Sequence, residues 1–395
     1  MIIDKLTYYN SRKRKIILIS RHRTLRQPFM KIFFILLPLL FITSNIYVFC
    51  KAWSTLSNMP AVVKAAGCTL FWCSAFAFIA TMFLSDSNLS PALLSGLHTY
   101  GGLWIIFVIF TAVGCLFSDI VSVFVRMPKN TCLYAMAIAL LLTAYGFINH
   151  TNPRVVTIDI ESEKPLNEDL KMVVISDLHL GYGTGRYMLQ RFTEKINALS
   201  PDIIIIAGDL IDNSVKPVKD AHMHEILSRL HAKQGIFMVP GNHEYISGIE
   251  NCYDFIEQTP IRMLRDSVLS LPCGVELIMR DDLCNKHRMR LKKLCSKADS
   301  SKFTILIEHQ PLKIDKKNSM KIDMQISGHT HNGQVWPGNL IVDNLYEQAQ
   351  GYRKWEHSHV WVSSGLSLWG PPVRIGTRGD IAIINIKNSN REDRD

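Results

Sequence analysis

Four long apolar runs between residues 32 and 148 constrain this chain more than any other feature. They cover 32–50, 65–84, 101–117 and 132–148. Each approaches the roughly 20 residues that cross a bilayer as a helix. A cleaved signal peptide would account for one such run but not for four. The expectation is a transmembrane region of about four helices, rather than a very apolar soluble bundle. From about residue 155 the pattern becomes mixed and alternating, as a globular domain requires.

The net charge of +10 also has a location. Residues 1–31 hold nine Lys or Arg against one acid, Asp4. A basic flank before the first run predicts a cytoplasmic N-terminus, and four crossings would return the rest of the chain to the cytoplasm. The short loops divide on this point: 85–100 hold no Lys or Arg, whereas 119–131 hold Arg126 and Lys129. Nucleic-acid binding is not expected, because the adjacent membrane run explains the charge and aromatic stacking residues are sparse. The apolar runs carry few charges, so a transporter finds little support. The nine cysteines show no close-spaced zinc-knuckle pairing and read as free thiols.

Residues 149–167 are polar and carry two prolines, which predicts a linker into a soluble domain at 168–387. A disordered tail is expected at 388–395. Within the domain, strands at 171–176, 203–207 and 236–240 alternate with helices at 187–199, 221–232 and near 251–258. Further strands are expected at 268–271, 275–279, 303–307, 322–326, 360–363 and 381–386. The pattern predicts an α/β sandwich of mixed or parallel sheets.

Several of these strands lead into metal-type residues: Asp177-Leu178-His179, Gly208-Asp209, Gly241-Asn242-His243-Glu244, His309 and Gly328-His329-Thr330-His331. Loops at the carboxyl ends of strands are where α/β sheets build their sites. Asp177, His179, Asp209, Asn242, His309, His329 and His331 can therefore converge, which predicts a two-metal centre. Carboxylates, a carboxamide and imidazoles suit manganese, iron, zinc or cobalt. Ions roughly 3.5–4 Å apart need a bridging carboxylate. Asp209 is the natural choice, since behind four isoleucines it would be costly as an unpaired charge. Such ions polarise a phosphoryl group and make hydroxide available near neutral pH. His243 is placed to protonate a leaving oxygen or bind a phosphoryl oxygen. His329 and His331 are expected on the same side of an extended segment. Arg374 is a weaker candidate for holding a substrate phosphate, and Trp336 and Trp369 for lining a pocket or resting at the membrane interface. The glycine-rich 181–185 lacks the Lys-Ser/Thr ending of a nucleotide P-loop; its glycines are expected to let the loop pass close to the metals.

Taken in order, the five blocks resemble the calcineurin-like metallophosphoesterase superfamily over about residues 168–387. That resemblance implies a four-layer α/β/β/α sandwich hydrolysing phosphomono- or phosphodiesters with two divalent metal ions. It implies one ion on Asp177, His179, Asp209 and His331, and the other on Asp209, Asn242, His309 and His329, with His243 as the catalytic imidazole. Arg280-Asp281-Asp282, Gly333-Gln334, Ser364-Gly365 and residues 369–376 look like the membrane-anchored bacterial branch, which is similar to enzymes cleaving the pyrophosphate of UDP-2,3-diacylglucosamine in lipid A assembly. By that likeness the chain is expected in the bacterial inner membrane with a lipid-linked phosphoester substrate, while the four runs and the basic flank predict a multi-pass protein with a cytoplasmic catalytic domain. Gly379-Asp380 departs from the Pro-Glu pair common in relatives, and four helices exceed a single anchor. The competing expectation is a catalytically silent membrane sensor or scaffold that binds a ligand on the same fold.

Overall fold

The structure, a computed structural model, describes residues 36–54, 58–85, 87–128, 130–312 and 322–389. The basic segment 1–31 and positions 390–395 of the expected tail lie outside the described residues. Among the described residues, four helices are long and apolar enough to cross a membrane: α1 (Leu36–Ser54), α2 (Ala61–Leu84), α3 (Pro91–Ser122) and α4 (Thr131–His150). They leave Phe83, Phe117 and Leu141 largely exposed, which suits a lipid environment and not water.

Helix α3 begins at Pro91, well before its apolar run. The Ser90 hydroxyl accepts the Leu93 N–H at 3.3 Å, and proline fits a first helical position. At 1.5 Å per residue its 32 residues extend about 48 Å, against about 30 Å of hydrocarbon. About a third of α3 is thus surplus to a crossing.

The chain divides into two compact units. One joins Phe107–Ala139 to the described residues up to Phe71; the other joins Trp72–Ile106 to the described residues from Leu140 onward. In the first, Tyr47 Oη and Lys51 Nζ each donate to the Asp119 carboxylate at 2.6 Å, so this acid is paired among apolar helices. Among the described residues all nine cysteines are free.

The second unit contains two six-stranded sheets. The first runs in the order β1 (Arg154–Ser162), β12 (Asp380–Asn388), β2 (Leu170–Ile175), β3 (Ile203–Ile206), β4 (Ile236–Met238), β5 (Ile261–Met263). The second runs β10 (Gly351–Trp355), β11 (Ser358–Val362), β9 (Met324–Ser327), β8 (Phe303–Ile307), β7 (Val275–Met279), β6 (Ser267–Ser270). Strands β2 to β5 are mutually parallel, as are β7, β8, β9 and β11. Parallel strands covered on both faces read as continuous apolar runs, which is why Ile203–Ile206 is four isoleucines, all buried.

Strand periodicity sorts these side chains into layers. Met172 and Val174 face Leu277, Ile305 and Ile326 of the other sheet. Val173 and Ile175 face outward, onto Leu189, Phe192 and Ile196 of α5 (Arg186–Asn197) and onto Phe255 of the helix Ile249–Ile256. Behind the second sheet, Leu291 and Leu294 pack on Ile278 and Leu306. The result is the α/β/β/α sandwich. Each fully buried Leu or Phe contributes about 1.5–3 kcal/mol of transfer free energy, which makes the sheets a rigid platform for the loops they carry.

Beyond shifts of a residue or two at element ends and the unexpected strands β5 and β10, three differences from the sequence expectation stand out. The linker at 149–167 contains β1, which pairs in register with β12 along all nine residues. Only Ile158, Ile160 and Ser162 of β1 are buried, so its apolar signal is thin. The domain starts near Arg154, and its last strand reaches Asn388, one residue past the expected end at 387. The helix expected at 221–232 is instead two short helices, Lys216–Asp220 and His224–Leu227, because His222 adopts φ 49° and breaks the helical path.

Candidate metal centre

Every strand that feeds the site does so at its carboxyl end. Strand β2 runs into Asp177 and His179, β3 into Asp209, β4 into Asn242 and His243, β8 into His309, and β9 into His329 and His331. The turns are tight enough to force left-handed backbone at Asp177 (φ 55°), His179 (45°), Asp209 (54°), His329 (75°) and His331 (49°). Such conformations cost of order 1–3 kcal/mol each and gather at functional sites.

Two groups of the expected donors, overlapped by a third made of His179, Asp209 and His243, form the site. Asp177, His179 and His331 place one atom each within 4.8 Å of one another, and so do Asp209, His309 and His329. In the first group, Asp177 Oδ1 lies 3.9 Å from His179 Nε2 and 3.4 Å from His331 Nε2. In the second, Asp209 Oδ2 lies 3.0 Å from His309 Nε2, and His329 Nδ1 lies 3.2 Å from that same nitrogen. One oxygen serves both groups: Asp209 Oδ2 is also 3.8 Å from His179 Nε2. Asp209 Oδ1 is already engaged, accepting the His243 N–H at 2.8 Å.

The donor set fits a pair of divalent ions on two further observations. The buried amide oxygen of Asn242 has no hydrogen-bond partner, and a buried orphan acceptor is costly unless something else binds it. The imidazoles are held so that one nitrogen faces the cluster: His309 Nδ1 bonds the Ala207 carbonyl at 2.8 Å and His179 Nδ1 the Asp212 carboxylate at 3.2 Å. Outer partners of this kind fix the tautomer of a metal-binding histidine.

Electrostatics follow from burial and crowding. Burial alone would raise the Asp177 carboxyl, but the imidazoles of His331, His179 and His309 hold it well below its usual range. Asp209 is lowered the same way, chiefly by His309. Burial opposes charge on His179 too, yet the neighbouring carboxylates of Asp177, Asp212 and Asp209 raise it to about 10, and Asp209 raises His309. His329 and His331, where burial dominates, fall to about 4 and about 3.

An uncharacterized metallophosphoesterase of Campylobacter jejuni is 31% identical over 274 residues, covering 67% of this chain and 71% of that protein. This chain belongs to the calcineurin-like phosphoesterase family. The model of that family matches residues 170–333, which span every donor named above. An uncharacterized metallophosphoesterase of Helicobacter pylori is 33% identical over 232 residues, 57% of this chain and 62% of that protein. A Danio rerio protein named transmembrane protein with metallophosphoesterase domain is 32% identical over 275 residues, 65% of this chain and 62% of that protein. The chain thus spans 62% of the length of the Helicobacter and Danio relatives. The phosphoesterase family works with a dinuclear divalent centre, and the two donor groups are compatible with one.

Two sequence expectations need correction in this phosphoesterase. His329 and His331 do not share a side of an extended segment. His331 opens a 3-10 turn, Thr330 lies near helical backbone, and the two histidines go to different donor groups. Arg374 is not a phosphate-binding residue at the surface. It is fully buried, and its guanidinium donates to the carbonyls of His331, Ser364, Gly365 and Ser367 at 2.6–3.2 Å.

Of three further residues around the site, Asp212 left no signal in sequence, whereas Glu244 and Asp380 stood there only as parts of motifs, without a role. Asp212 reaches His179 with its carboxylate and His243 Nδ1 with its carbonyl, the latter at 3.1 Å. Glu244, buried, accepts the backbone N–H groups of Asp209, Ile211 and Gly241 at 2.7–3.0 Å and so braces the Asp209 turn. Asp380 accepts from Ser363 Oγ at 2.6 Å and Ser364 N at 3.0 Å, fixing the loop on which Arg374 also acts. A Glu three residues after a glycine turn was the one available signal, for Glu244.

Proposed function

We propose that this chain is a membrane-anchored phosphohydrolase that cleaves a phosphoester or pyrophosphate bond with two divalent ions, and that its substrate is lipid-linked. The observation that carries this is Asp209 Oδ2, which faces a histidine of each donor group at 3.8 and 3.0 Å. In this reading Asp177, His179, Asp209 and His331 hold one ion, and Asp209, Asn242, His309 and His329 the other. When bound, the ions polarise the phosphoryl group and lower the pKa of water.

The protein's own groups supply the rest. Nδ1 of His243 sits against the Asp212 carbonyl, which favours a proton there and leaves Nε2 to carry a proton to the leaving oxygen. The half-exposed Trp369, whose ring is 6.3 Å from that of His243, offers an apolar wall beside it. The specific form of the proposal is a bacterial inner-membrane enzyme, catalytic domain in the cytoplasm, acting on UDP-2,3-diacylglucosamine. The full donor set favours turnover over a silent sensor, since a binding-only domain has no need of a bridging carboxylate.

Purified full-length protein in detergent, supplied with manganese, iron, zinc or cobalt, is expected to hydrolyse bis-p-nitrophenyl phosphate. Both Asp209→Asn and His243→Ala should abolish this. Activity surviving in both variants defeats the assignment. UDP-2,3-diacylglucosamine in the same assay tests the specific substrate, and its resistance where other lipid phosphoesters are cut removes that part alone.

A further inference from the structure

A cavity of about 780 Å³ lies between the start of α3 and the loops beside the metal centre, a size typical of pockets that enclose small ligands. One wall comes from the membrane helices: Pro91, Ala92 and Ser95 of α3, and Phe147 near the end of α4. The facing wall is the Gly181–Gly185 loop, with Tyr187, Met188 and Met223 beyond it.

Its polar walls are largely engaged within the protein. Ser95 Oγ donates to the Tyr182 carbonyl at 2.7 Å, and Tyr182 Oη to the Ser85 carbonyl at 3.1 Å. The Arg186 guanidinium at the rim donates to the Ala221 and His222 carbonyls and to Glu225. What remains for an occupant is mainly apolar surface.

Two loops connect this cavity to the metal centre. Gly181, on its wall, follows His179 by two residues and approaches Asp212. Pro372, also on its wall, follows Trp369, the residue beside His243. The same segment is fastened to the membrane helices: Pro372 packs on Gly102 of α3, Val373 on Gly146 of α4, and Asn149 donates to the Arg374 and Thr377 carbonyls at 2.9 and 2.8 Å. The cavity at the start of α3 therefore shares two of its wall loops with the metal centre.

We infer that this cavity is the subsite for the alkyl tail of a lipid phosphoester whose headgroup sits at the metal centre. The inference rests on the phosphohydrolase reading above and adds where the substrate's apolar part goes. A lipid headgroup lifted to a site above the bilayer drags methylenes into water, and each one re-buried recovers about fourfold in affinity. A walled apolar space beside the helices meets that need.

The test uses full-length protein in mixed detergent micelles and two readouts. The first compares kcat/KM for p-nitrophenyl phosphodiesters bearing a butyl or a dodecyl chain. Wild type should favour dodecyl at least about tenfold. Ala92→Trp, which fills the cavity from α3, and Tyr187→Ala, which opens its wall, should each erase that preference while keeping butyl turnover. Equal efficiency on both chains in wild type, or a variant that lowers both equally, overturns the subsite while leaving the phosphohydrolase reading intact. The second readout does not need turnover. A non-hydrolysable hexadecyl phosphonate with a terminal diazirine should label residues 91–99 or 181–188, less in Ala92→Trp and less after chelation. Label elsewhere overturns the subsite. Label that survives chelation shows an ordinary bilayer lipid in the cavity and overturns it as a substrate tail. Correct labelling without hydrolysis of any phosphoester upholds the subsite and defeats the phosphohydrolase reading.

Discussion

Arg374 holds the last histidine of the centre from behind: its Nη1 donates to the His331 carbonyl at 3.2 Å. Nη2 of the same side chain gathers the carbonyls of Ser364, Gly365 and Ser367. Burial lowers this arginine to about 10, so it stays charged at neutral pH, and its charge offsets part of the carboxylate density around Asp177 and Asp380. Replacing it by alanine strands several buried carbonyls at about 1–3 kcal/mol each. Arg374→Ala is therefore expected to unfold at markedly lower temperature. Arg374→Lys, which keeps the charge but loses the planar fork, should stay folded yet bind the first ion more weakly. Thermal unfolding in detergent and metal content by mass spectrometry check both. Full metal occupancy at normal affinity in Arg374→Lys would show that His331 needs no such support.

Asp212 belongs to the outer shell of the same site. Its carboxylate, held down to about 2 by His179 and His243 against the effect of burial, orients His179 through Nδ1 at 3.2 Å. Removing an outer partner of a ligating histidine costs about 10–100-fold in metal affinity or activity. Asp212→Asn is expected to weaken metal binding by about that factor with little change in unfolding temperature. Titration with a competing chelator measures it, and an unchanged affinity removes Asp212 from the site.

The histidines set a pH dependence whose sign can be worked out. Without metal, the surrounding carboxylates push His179 up to about 10 and His309 well above its ordinary value, which favours a proton on each at pH 7. His329 and His331, at about 4 and about 3, are already neutral there. Ligands must be neutral imidazoles, so loading should release about two protons. Calorimetry in buffers of different ionisation enthalpy counts them, and affinity should fall as pH falls from 8 toward 6. Stability of the metal-free protein runs the other way. A raised folded-state pKa contributes fully below the unfolded value near 6.5, and for His179 that contribution disappears as pH rises through about 10. Alkaline metal-free protein should melt earlier than at pH 6, and loaded protein should not. Metal uptake without proton release contradicts the charge assignment.

How much of this was legible beforehand depended on what each residue does. Strands β2, β3, β4, β7 and β8 were readable because parallel strands buried on both faces appear as uninterrupted apolar runs. The donor residues stood out because carboxylates and imidazoles directly after such runs have few other reasons to be there. Strand β1 escaped because Thr157, Asp159 and Glu161 alternate with its two isoleucines, next to proline. Arg374 escaped because its partners are carbonyls from 331 to 367, and backbone acceptors leave no pattern in sequence. The start of α3 was hidden for a simpler reason. Its first turns face the loop at 181–185, so Ser90, Ser95 and His98 dilute the apolar run that marks the rest.

Glycine at 241 is required by contact with the carboxylate that both donor groups share. A Cβ built there would overlap Asp209 Oδ1 and come within 2.7 Å of the Asp209 backbone nitrogen. Backbone cannot yield as a flexible side-chain tip does, so Gly241→Ala must push the Asp209 turn away from Asn242 and His243. Glu244, which ties the N–H groups of Gly241, Asp209 and Ile211 together, would transmit the shift through the turn. Displacements near 1 Å in such a site cost about a hundredfold in rate. Gly241→Ala is expected to fold, since the sheets beneath are untouched, while losing activity by about that factor and much of its second ion. Circular dichroism, metal analysis and phosphodiester hydrolysis on one preparation separate these outcomes. Normal hydrolysis in Gly241→Ala would mean that the close approach of Gly241 to Asp209 has no part in holding the centre together.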